Sequence, residues 1–142
     1  MSFFALPVRV YYQDTDAAGV VFHATYLDFM ERARVEWLRR QGFEPQELAR
    51  RFRVVFIVRQ LQLAYLKPAV LDDLVTVTAA VQKLGRAQVT LMQEVLRGKD
   101  ALVRATVNLA CVATGSLKPM PVPNEVLASF SNEVPLPLEA TV

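Results

Sequence analysis

The hydrophobic positions of the chain follow two different periods, which separate one helical segment from several extended segments. Between Tyr26 and Leu38, apolar side chains recur three or four residues apart, the spacing of one face of an α-helix. Gly42 and Pro45 follow this pattern and are typical of a helix terminus. The pattern therefore predicts one long helix, from about Ala24 to Gln41.

Four later segments alternate apolar and polar residues, which is the period of a β-strand with one buried face. Turns at Gly85-Arg86 and at Gly98 to Asp100 separate the last three of these segments. An earlier strand is predicted over Val8 to Tyr12, which is rich in β-branched and aromatic residues. The four alternating segments are Val54–Leu66, Leu74–Lys83, Ala87–Arg97 and Ala101–Thr114, and short helices are predicted over 46–52 and 124–130.

This order of elements predicts an α+β domain. A sheet with one apolar face and a helix with one apolar stripe bury both surfaces when the sheet curls around the helix. We therefore predict a five-stranded, mostly antiparallel sheet wrapped round one long helix. Residues 1–142 are predicted to form a single domain, with a core over about 7–130 and a proline-rich C-terminal tail.

Composition and charge limit the binding partners and the cellular compartment that we expect for this chain. Hydrophobic residues make up 53% of the chain, which predicts that other subunits cover part of its surface, in a dimer or a dimer of dimers. A net charge of +2 without a basic run gives no reason to expect nucleic acid, and no apolar run has the length of a membrane span. The N-terminus lacks signal-peptide features and Cys111 is the only cysteine, so we expect a cytoplasmic protein.

The candidate chemistry is concentrated between the first predicted strand and the long helix. Asp14 and Asp16 lie two residues apart, and Gly19 and the only histidine, His23, follow them. A carboxylate, an imidazole and the free N–H groups of a helix start can supply a nucleophile or base, a proton donor and oxyanion stabilisation. We expect no metal and no cofactor, because one histidine and one cysteine far apart cannot form a zinc site of the usual type.

A longer signature runs through this stretch and into the predicted helix. It reads Tyr12-Gln13-Asp14-Thr15-Asp16-Ala17-Ala18-Gly19-Val20-Val21-Phe22-His23-Ala24-Thr25-Tyr26, followed by Leu27-Asp28-Phe29-Met30-Glu31-Arg32-Ala33-Arg34. The signature resembles that of the hotdog-fold acyl-CoA thioesterases, which include the 4-hydroxybenzoyl-CoA thioesterase-like enzymes. Within this family it is most similar to the bacterial branch associated with the Tol-Pal system. The resemblance extends from about Pro7 to Phe130.

The resemblance implies a cofactor-free hydrolase of lipid metabolism that cleaves an acyl-CoA to a free acid and CoA. By position, it makes Asp16 the nucleophile or the general base on water, and His23 a proton donor or a positioning group. It places the thioester carbonyl on backbone N–H groups at the helix start. The residues expected to position the carbonyl and the substrate are Gly19, His23, Ala24 and Tyr26.

Four other polar residues also have expected roles. The resemblance associates Lys83 and Arg86 with the phosphates of CoA. Asp14 is expected to be structural, because aspartate stabilises turns through its own backbone. Glu31 is expected to pair with Arg34 or with a neighbouring chain.

Three alternative functions are considered from the sequence. Asp14 and Asp16 would suit Mg²⁺ in a phosphotransferase, but that site requires a parallel α/β domain and further acidic ligands, and the sequence shows neither. A dehydratase or an isomerase on the same fold would also act on acyl thioesters. A non-catalytic protein that binds acyl thioesters, or serves as a scaffold, is the third alternative.

Overall fold

The computed structural model describes residues 4–133 of the chain, and the long helix and the strands occupy most of them. A short helix over Pro45–Glu47 continues directly into a single π-helical turn at Leu48–Phe52. The elements are β1 (Phe4–Arg9), α1 (Thr25–Arg40), α2 (Pro45–Glu47), β2 (Val54–Tyr65), β3 (Leu74–Leu84), β4 (Gln88–Arg97), β5 (Asp100–Ala113) and α3 (Asn124–Ser131).

The five strands form one sheet in which every pairing is antiparallel. Their order is β1-β3-β4-β5-β2, so β1 and β2 are the two edges. The last three strands are joined in sequence by tight turns, whereas β2 crosses to the far edge and pairs with β5. The α+β fold with a five-stranded sheet and one long helix is therefore confirmed.

The long helix α1 packs on one face of this sheet because both present apolar stripes. Residues of α1 three or four positions apart are buried, and the inward-facing positions of the three central strands are mostly valine and leucine. Burying such a side chain stabilises the fold by about 1.5–3 kcal/mol. The buried stripe of α1 is Tyr26, Phe29, Met30, Ala33 and Trp37.

One polar side chain interrupts the apolar face of the central strands. Gln93 on β4 is fully buried, and its amide nitrogen donates to the backbone carbonyls of Met30 and Thr78 at 3.1 Å. Its amide oxygen accepts a hydrogen bond from Arg34 of α1 at 2.9 Å. Gln93 therefore links the sheet to the helix inside the core.

The helix and strand bounds predicted from periodicity agree with the structure, except at the first strand. That strand was predicted over Val8 to Tyr12, but β1 begins at Phe4 and ends at Arg9, so the prediction is wrong. The chain turns after β1 because the carboxylate of Asp14 accepts a hydrogen bond from the N–H of Tyr11 at 2.9 Å. The end of the proline-rich tail, from residue 134, lies outside the described residues. No helix in the described part has the length and apolar character required to cross a membrane.

Candidate active site

The stretch with the candidate chemistry forms a short hairpin between β1 and α1. Thr15 and Val21 pair as an isolated antiparallel bridge. The hairpin lies against the segment after β2, because Val20 bridges Val70 and the N–H of Val21 donates to the carbonyl of Ala69 at 2.9 Å. The turn that carries the signature is therefore held on two sides by backbone hydrogen bonds.

Asp16 lies at the tip of this hairpin with an exposed side chain. One carboxylate oxygen, Oδ1, accepts a hydrogen bond from the N–H of Ala18 at 2.8 Å. The tip closes at Gly19, whose φ of +84° is in the left-handed region that favours glycine. The other oxygen, Oδ2, accepts no hydrogen bond within residues 4–133. It is therefore available to attack a substrate or to take a proton from water.

Asp14 has a different environment from Asp16, although it is only two residues away. Its side chain is buried, and its carboxylate accepts the hydrogen bond from Tyr11. Its backbone carbonyl accepts the N–H of Phe22 at 2.9 Å, at the base of the hairpin. These contacts agree with the structural role predicted for Asp14.

The start of α1 presents unsatisfied backbone donors beside the hairpin. Ala24 is the N-cap residue and provides no side-chain cap. The N–H of Thr25 donates to Phe22 at 2.8 Å, and that of Leu27 donates to Ala24 at 3.1 Å. The N–H groups of His23 and Ala24 have no acceptor in the part of the chain that the structure describes. Free donors at the positive end of a helix dipole favour a developing oxyanion.

Tyr65, the last residue of β2, is a member of the site that sequence reasoning missed. Its hydroxyl donates to the backbone carbonyl of His23 at 2.7 Å. The two rings are 6.5 Å apart between centroids and nearly perpendicular. Tyr65 and His23 share a cleft of about 210 Å³, lined by Val21, His23, Tyr26, Tyr65, Leu66, Lys67 and Pro68. An aromatic residue just before Lys67-Pro68 was visible in the sequence, but nothing there connected it to His23.

Tyr26 lines the same cleft from a buried position in α1. Its hydroxyl accepts a hydrogen bond from the N–H of Ala69 at 2.9 Å. Burial raises the pKa of the Tyr26 hydroxyl, although this hydrogen bond lowers it in part. Tyr26 thus anchors the segment against which the hairpin lies, and its direct contact with substrate stays a prediction.

Asp73 and Arg97 hold the far end of that segment in place. The Asp73 carboxylate accepts hydrogen bonds from the N–H of Val70 at 2.9 Å and from the Arg97 guanidinium at 2.7 Å. Burial raises the pKa of Asp73, but these two donors outweigh it, so the pKa lies below its ordinary value. The segment that supports the hairpin is therefore fixed by a charged pair.

Lys83 and Arg86 lie far from the hairpin of their own protomer. Both are exposed, at the end of β3 and in the turn after it, whereas the hairpin lies beside the start of β3. Ten residues of extended strand, from Leu74 to Lys83, span about 30 Å. Lys83 and Arg86 are therefore separated from the hairpin by the length of β3, and their role stays a prediction.

A larger cavity, of about 480 Å³, lies between the second half of α1 and the start of β2. Arg34 in its wall is bound to Gln93, and burial lowers the pKa of Arg34, which the charge of Glu31 partly offsets. No ion pair joins Glu31 to Arg34 among the described residues, so the first of the two partners expected for Glu31 is not found. The cavity is lined by Glu31, Arg34, Val35, Trp37, Leu38, Pro45, Leu48, Val55, Phe56, Ile57, Val58, Leu109 and Phe130.

Within residues 4–133, no group of three or more histidine, cysteine, aspartate or glutamate side chains is arranged to hold a metal ion.

Comparison with known proteins gives consistent results in sequence and in structure. A sequence profile of the thioesterase superfamily matches residues 18–104. The acyl-CoA thioesterase YbgC of Haemophilus influenzae is 46% identical over 127 residues, which cover 89% of this chain and 93% of that protein. The acyl-CoA thioester hydrolase YbgC of Escherichia coli is 39% identical over 128 residues, which cover 89% and 95%.

Among solved structures, a probable thioesterase from Bartonella henselae superposes with a TM-score of 0.82 at 37% identity, over 86% of this chain and all of the other. The profile match begins two residues after Asp16, so it leaves the role of that residue open. The profile spans more than half of the chain, and the relatives match over nearly their whole length. The chain therefore belongs to the thioesterase superfamily, and the predicted enzyme class, a thioester hydrolase, is confirmed.

Proposed function

We propose that this chain hydrolyses acyl-CoA thioesters and that Asp16 is the catalytic carboxylate. The observation that carries the proposal is the exposed Asp16, with its unbonded oxygen Oδ2, on the hairpin that leads directly into the free N–H groups at the start of α1. A thioester is already an activated acyl group, so its hydrolysis requires an oriented carboxylate and oxyanion donors. The relatives named as acyl-CoA thioesterases support the choice of substrate.

The reaction has two possible first steps at Asp16. As a nucleophile, Oδ2 adds to the thioester carbon, the C–S bond breaks, and water then hydrolyses the mixed anhydride. As a general base, Asp16 takes a proton from water, whose oxygen adds to the same carbon before the C–S bond breaks. In both cases the carbonyl oxygen becomes an oxyanion, which the N–H groups of His23 and Ala24 stabilise.

His23 has a supporting role in this proposal. Its ring lines the cleft beside Tyr65, in a position to protonate the CoA thiolate as it leaves or to orient the thioester. His23→Ala should reduce kcat less than loss of the Asp16 charge, because the backbone N–H of residue 23 survives the substitution.

The site is expected to be completed by a second copy of the chain. β2 is an edge strand with unpaired backbone groups, and Ile57 and Val58 in its middle are 42% and 49% exposed. Antiparallel pairing of two β2 strands about their midpoint places Tyr65 of one protomer beside the start of β2 in its partner. The larger cavity, Lys83 and Arg86 are at that end of the partner, so the acyl group and the CoA phosphates would bind there. The cytoplasmic location and the role in lipid metabolism stay predictions.

One assay separates this function from its alternatives. The purified protein is incubated with acyl-CoAs of increasing chain length and with an aromatic acyl-CoA, and both free thiol and acyl product are measured. Thiol release supports the thioesterase, a changed acyl group without thiol release indicates a dehydratase or isomerase, and bound but unchanged substrate indicates a binding protein.

The assignment of Asp16 is tested with the same assay on Asp16→Asn. This change keeps the size of the side chain but removes its charge, so kcat should fall by a factor on the order of hundreds or more. The matched control is Asp72→Asn, an exposed aspartate whose carboxylate forms no hydrogen bond within the described residues; this variant should retain full activity. An Asp16→Asn variant with near wild-type turnover would remove Asp16 from the mechanism.

A further inference from the structure

The Tyr65 hydroxyl donates to the backbone carbonyl of His23, which accepts no hydrogen bond from the N–H groups of the helix. At the start of α1, the carbonyl of Phe22 accepts the N–H of Thr25, and the carbonyl of Ala24 accepts the N–H of Leu27. No backbone N–H reaches the carbonyl of His23 within residues 4–133. The Tyr65 hydroxyl, at 2.7 Å, is the donor that this carbonyl does have. The contact joins the end of the edge strand to the first turn of the helix.

The hydrogen bond from Tyr65 also determines where a free donor points. The carbonyl of His23 and the N–H of Ala24 belong to the same planar peptide group, so the direction of one fixes the direction of the other. The N–H of Ala24 is one of the donors at the helix start that have no acceptor in the described part of the chain. By holding the His23 carbonyl, Tyr65 therefore aims the Ala24 N–H.

The same hydrogen bond strengthens that donor electrostatically. A peptide carbonyl that accepts a hydrogen bond becomes more polarised, and its N–H becomes a better donor. A stronger donor stabilises its acceptor most when that acceptor becomes negatively charged. The thioester oxygen becomes negatively charged during hydrolysis. The contribution of Tyr65 should thus be larger in the transition state than in the bound substrate.

The Tyr65 ring lies at the edge of the core and not within it. Its side chain is 51% exposed, and it contacts the rings of His23 and Tyr26 at the mouth of the cleft. Loss of one hydroxyl from a half-exposed ring removes little buried area. A large effect on turnover would therefore be difficult to attribute to folding.

We propose that Tyr65 is a positioning residue for thioester hydrolysis, acting through the His23–Ala24 peptide to aim and polarise the Ala24 N–H toward the substrate carbonyl. The inference rests on the proposed function, since it assigns a task within that reaction. It adds a residue from the edge strand to a site that is otherwise built from the hairpin and the helix start.

The test is Tyr65→Phe, which removes only the hydroxyl. We expect kcat to fall about tenfold, which corresponds to the loss of one hydrogen bond, while KM stays within about twofold of wild type. Thr106→Val is the matched control, because it also deletes one hydroxyl, on the opposite face of the sheet, and this hydroxyl forms no hydrogen bond in the described region. The melting temperature of each variant is measured alongside turnover.

A spectroscopic measurement separates positioning from a structural effect. In the Asp16→Asn background, the carbonyl stretch of a bound ¹³C-labelled acyl-CoA should shift to lower frequency relative to free substrate. Adding Tyr65→Phe should reduce this shift without changing the affinity for the acyl-CoA. An unchanged shift, or a kcat within twofold of wild type, would overturn the inference.

The assays distinguish failure of the proposed thioesterase function from failure of the inference about Tyr65. If the wild-type protein releases no thiol from any acyl-CoA, the thioesterase proposal fails and the role of Tyr65 in that reaction fails with it. If wild type is active and Asp16→Asn is inactive, but Tyr65→Phe behaves like Thr106→Val, only the inference about Tyr65 is wrong.

Discussion

Gln93 of the central strand β4 and Arg34 of helix α1 are joined by a 2.9 Å hydrogen bond from the guanidinium to the amide oxygen. Both hydrogens of the Gln93 amide are used as well, on the carbonyls of Met30 and Thr78. These two bonds orient the amide, so its oxygen must face Arg34. A fully buried glutamine thus keeps a half-buried cation at the wall of the larger cavity.

Gln93→Leu should destabilise the protein measurably, because it removes three hydrogen bonds and leaves the Arg34 guanidinium without its partner. We expect a loss of about 2 kcal/mol in the free energy of unfolding, measured by urea denaturation. Gln82→Leu, at an exposed position of β3, is the control and should change stability by less than about 0.5 kcal/mol. Equal stabilities of the two variants would contradict this account of Gln93.

Asp73 should stabilise the folded protein more at neutral pH than at acid pH. Its pKa is lower in the folded protein than its ordinary value of 3.8. Its contribution is therefore complete above about pH 4 and is lost as the pH falls through the folded pKa. Asp73→Asn should be less stable than wild type by about 1 kcal/mol at pH 7, because the Arg97 partner is partly exposed and screened.

Urea unfolding of wild type and Asp73→Asn at several pH values checks this sign. The difference between the two proteins should shrink as the pH is lowered below about 4, where Asp73 first becomes protonated in the unfolded chain, and should be lost below the folded pKa, where it is protonated in both states. A difference that stays constant from pH 7 to the acid range would show that the Asp73 charge is not the cause.

Cys111 should not react with thiol reagents in the folded protein. Its side chain is fully buried, and burial raises the pKa of the thiol to about 11. The thiolate is the reactive form, and it is scarce at neutral pH under these conditions. A disulfide reagent should therefore label about one thiol per chain in denaturant and almost none in buffer. Rapid labelling in buffer would contradict the buried position, and it would also add background to the thiol-release assay.

The exposed edge strand should determine the assembly of the protein. Val58→Lys places a charge in the middle of β2, where a second β2 strand is expected to pair, and should weaken the oligomer. Light scattering at micromolar concentration should show at least a dimer for wild type and a shift toward the 15.9 kDa monomer for the variant. Thiol release should also fall, but Val58 lines the larger cavity, so the oligomeric state is the deciding measurement for this variant. A wild-type protein that is monomeric yet active would refute the idea of a shared site.

Much of this fold was predictable because its signals are periodic and local. The apolar spacing over Tyr26 to Leu38 predicted α1 to within one residue at each end, and the alternation of the later strands predicted their bounds equally well. The pairing of β2 with β5 was not predicted, because it joins strands that are far apart in the sequence. The first strand was misplaced because Val10 and Tyr11 resemble strand residues. A carboxylate three residues beyond Tyr11 ends the strand earlier, by binding its N–H.

The site was only partly predictable, because some of its residues are adjacent in sequence and others meet only in the folded chain. Asp16 and His23 belong to one continuous signature, so a resemblance could point to both. Tyr65 is forty-two residues from His23, and the two meet only because β2 ends beside the helix start. Gln93 was visible as a polar residue at an inward position, but the sequence gave no means of finding its partner on α1.

The larger cavity and the hairpin that carries Asp16 are built from different stretches of chain. Apart from residues of α1, β5 and α3, the cavity wall comes from 45–58, whereas Asp16, Gly19 and His23 all lie within 14–24. Under the proposed assignment, substitutions over 45–58 resize the acyl pocket without altering the groups that break the C–S bond. Substrate range and catalytic chemistry can therefore diverge separately in descendants of this chain, the first by changes near the start of β2 while the second is retained.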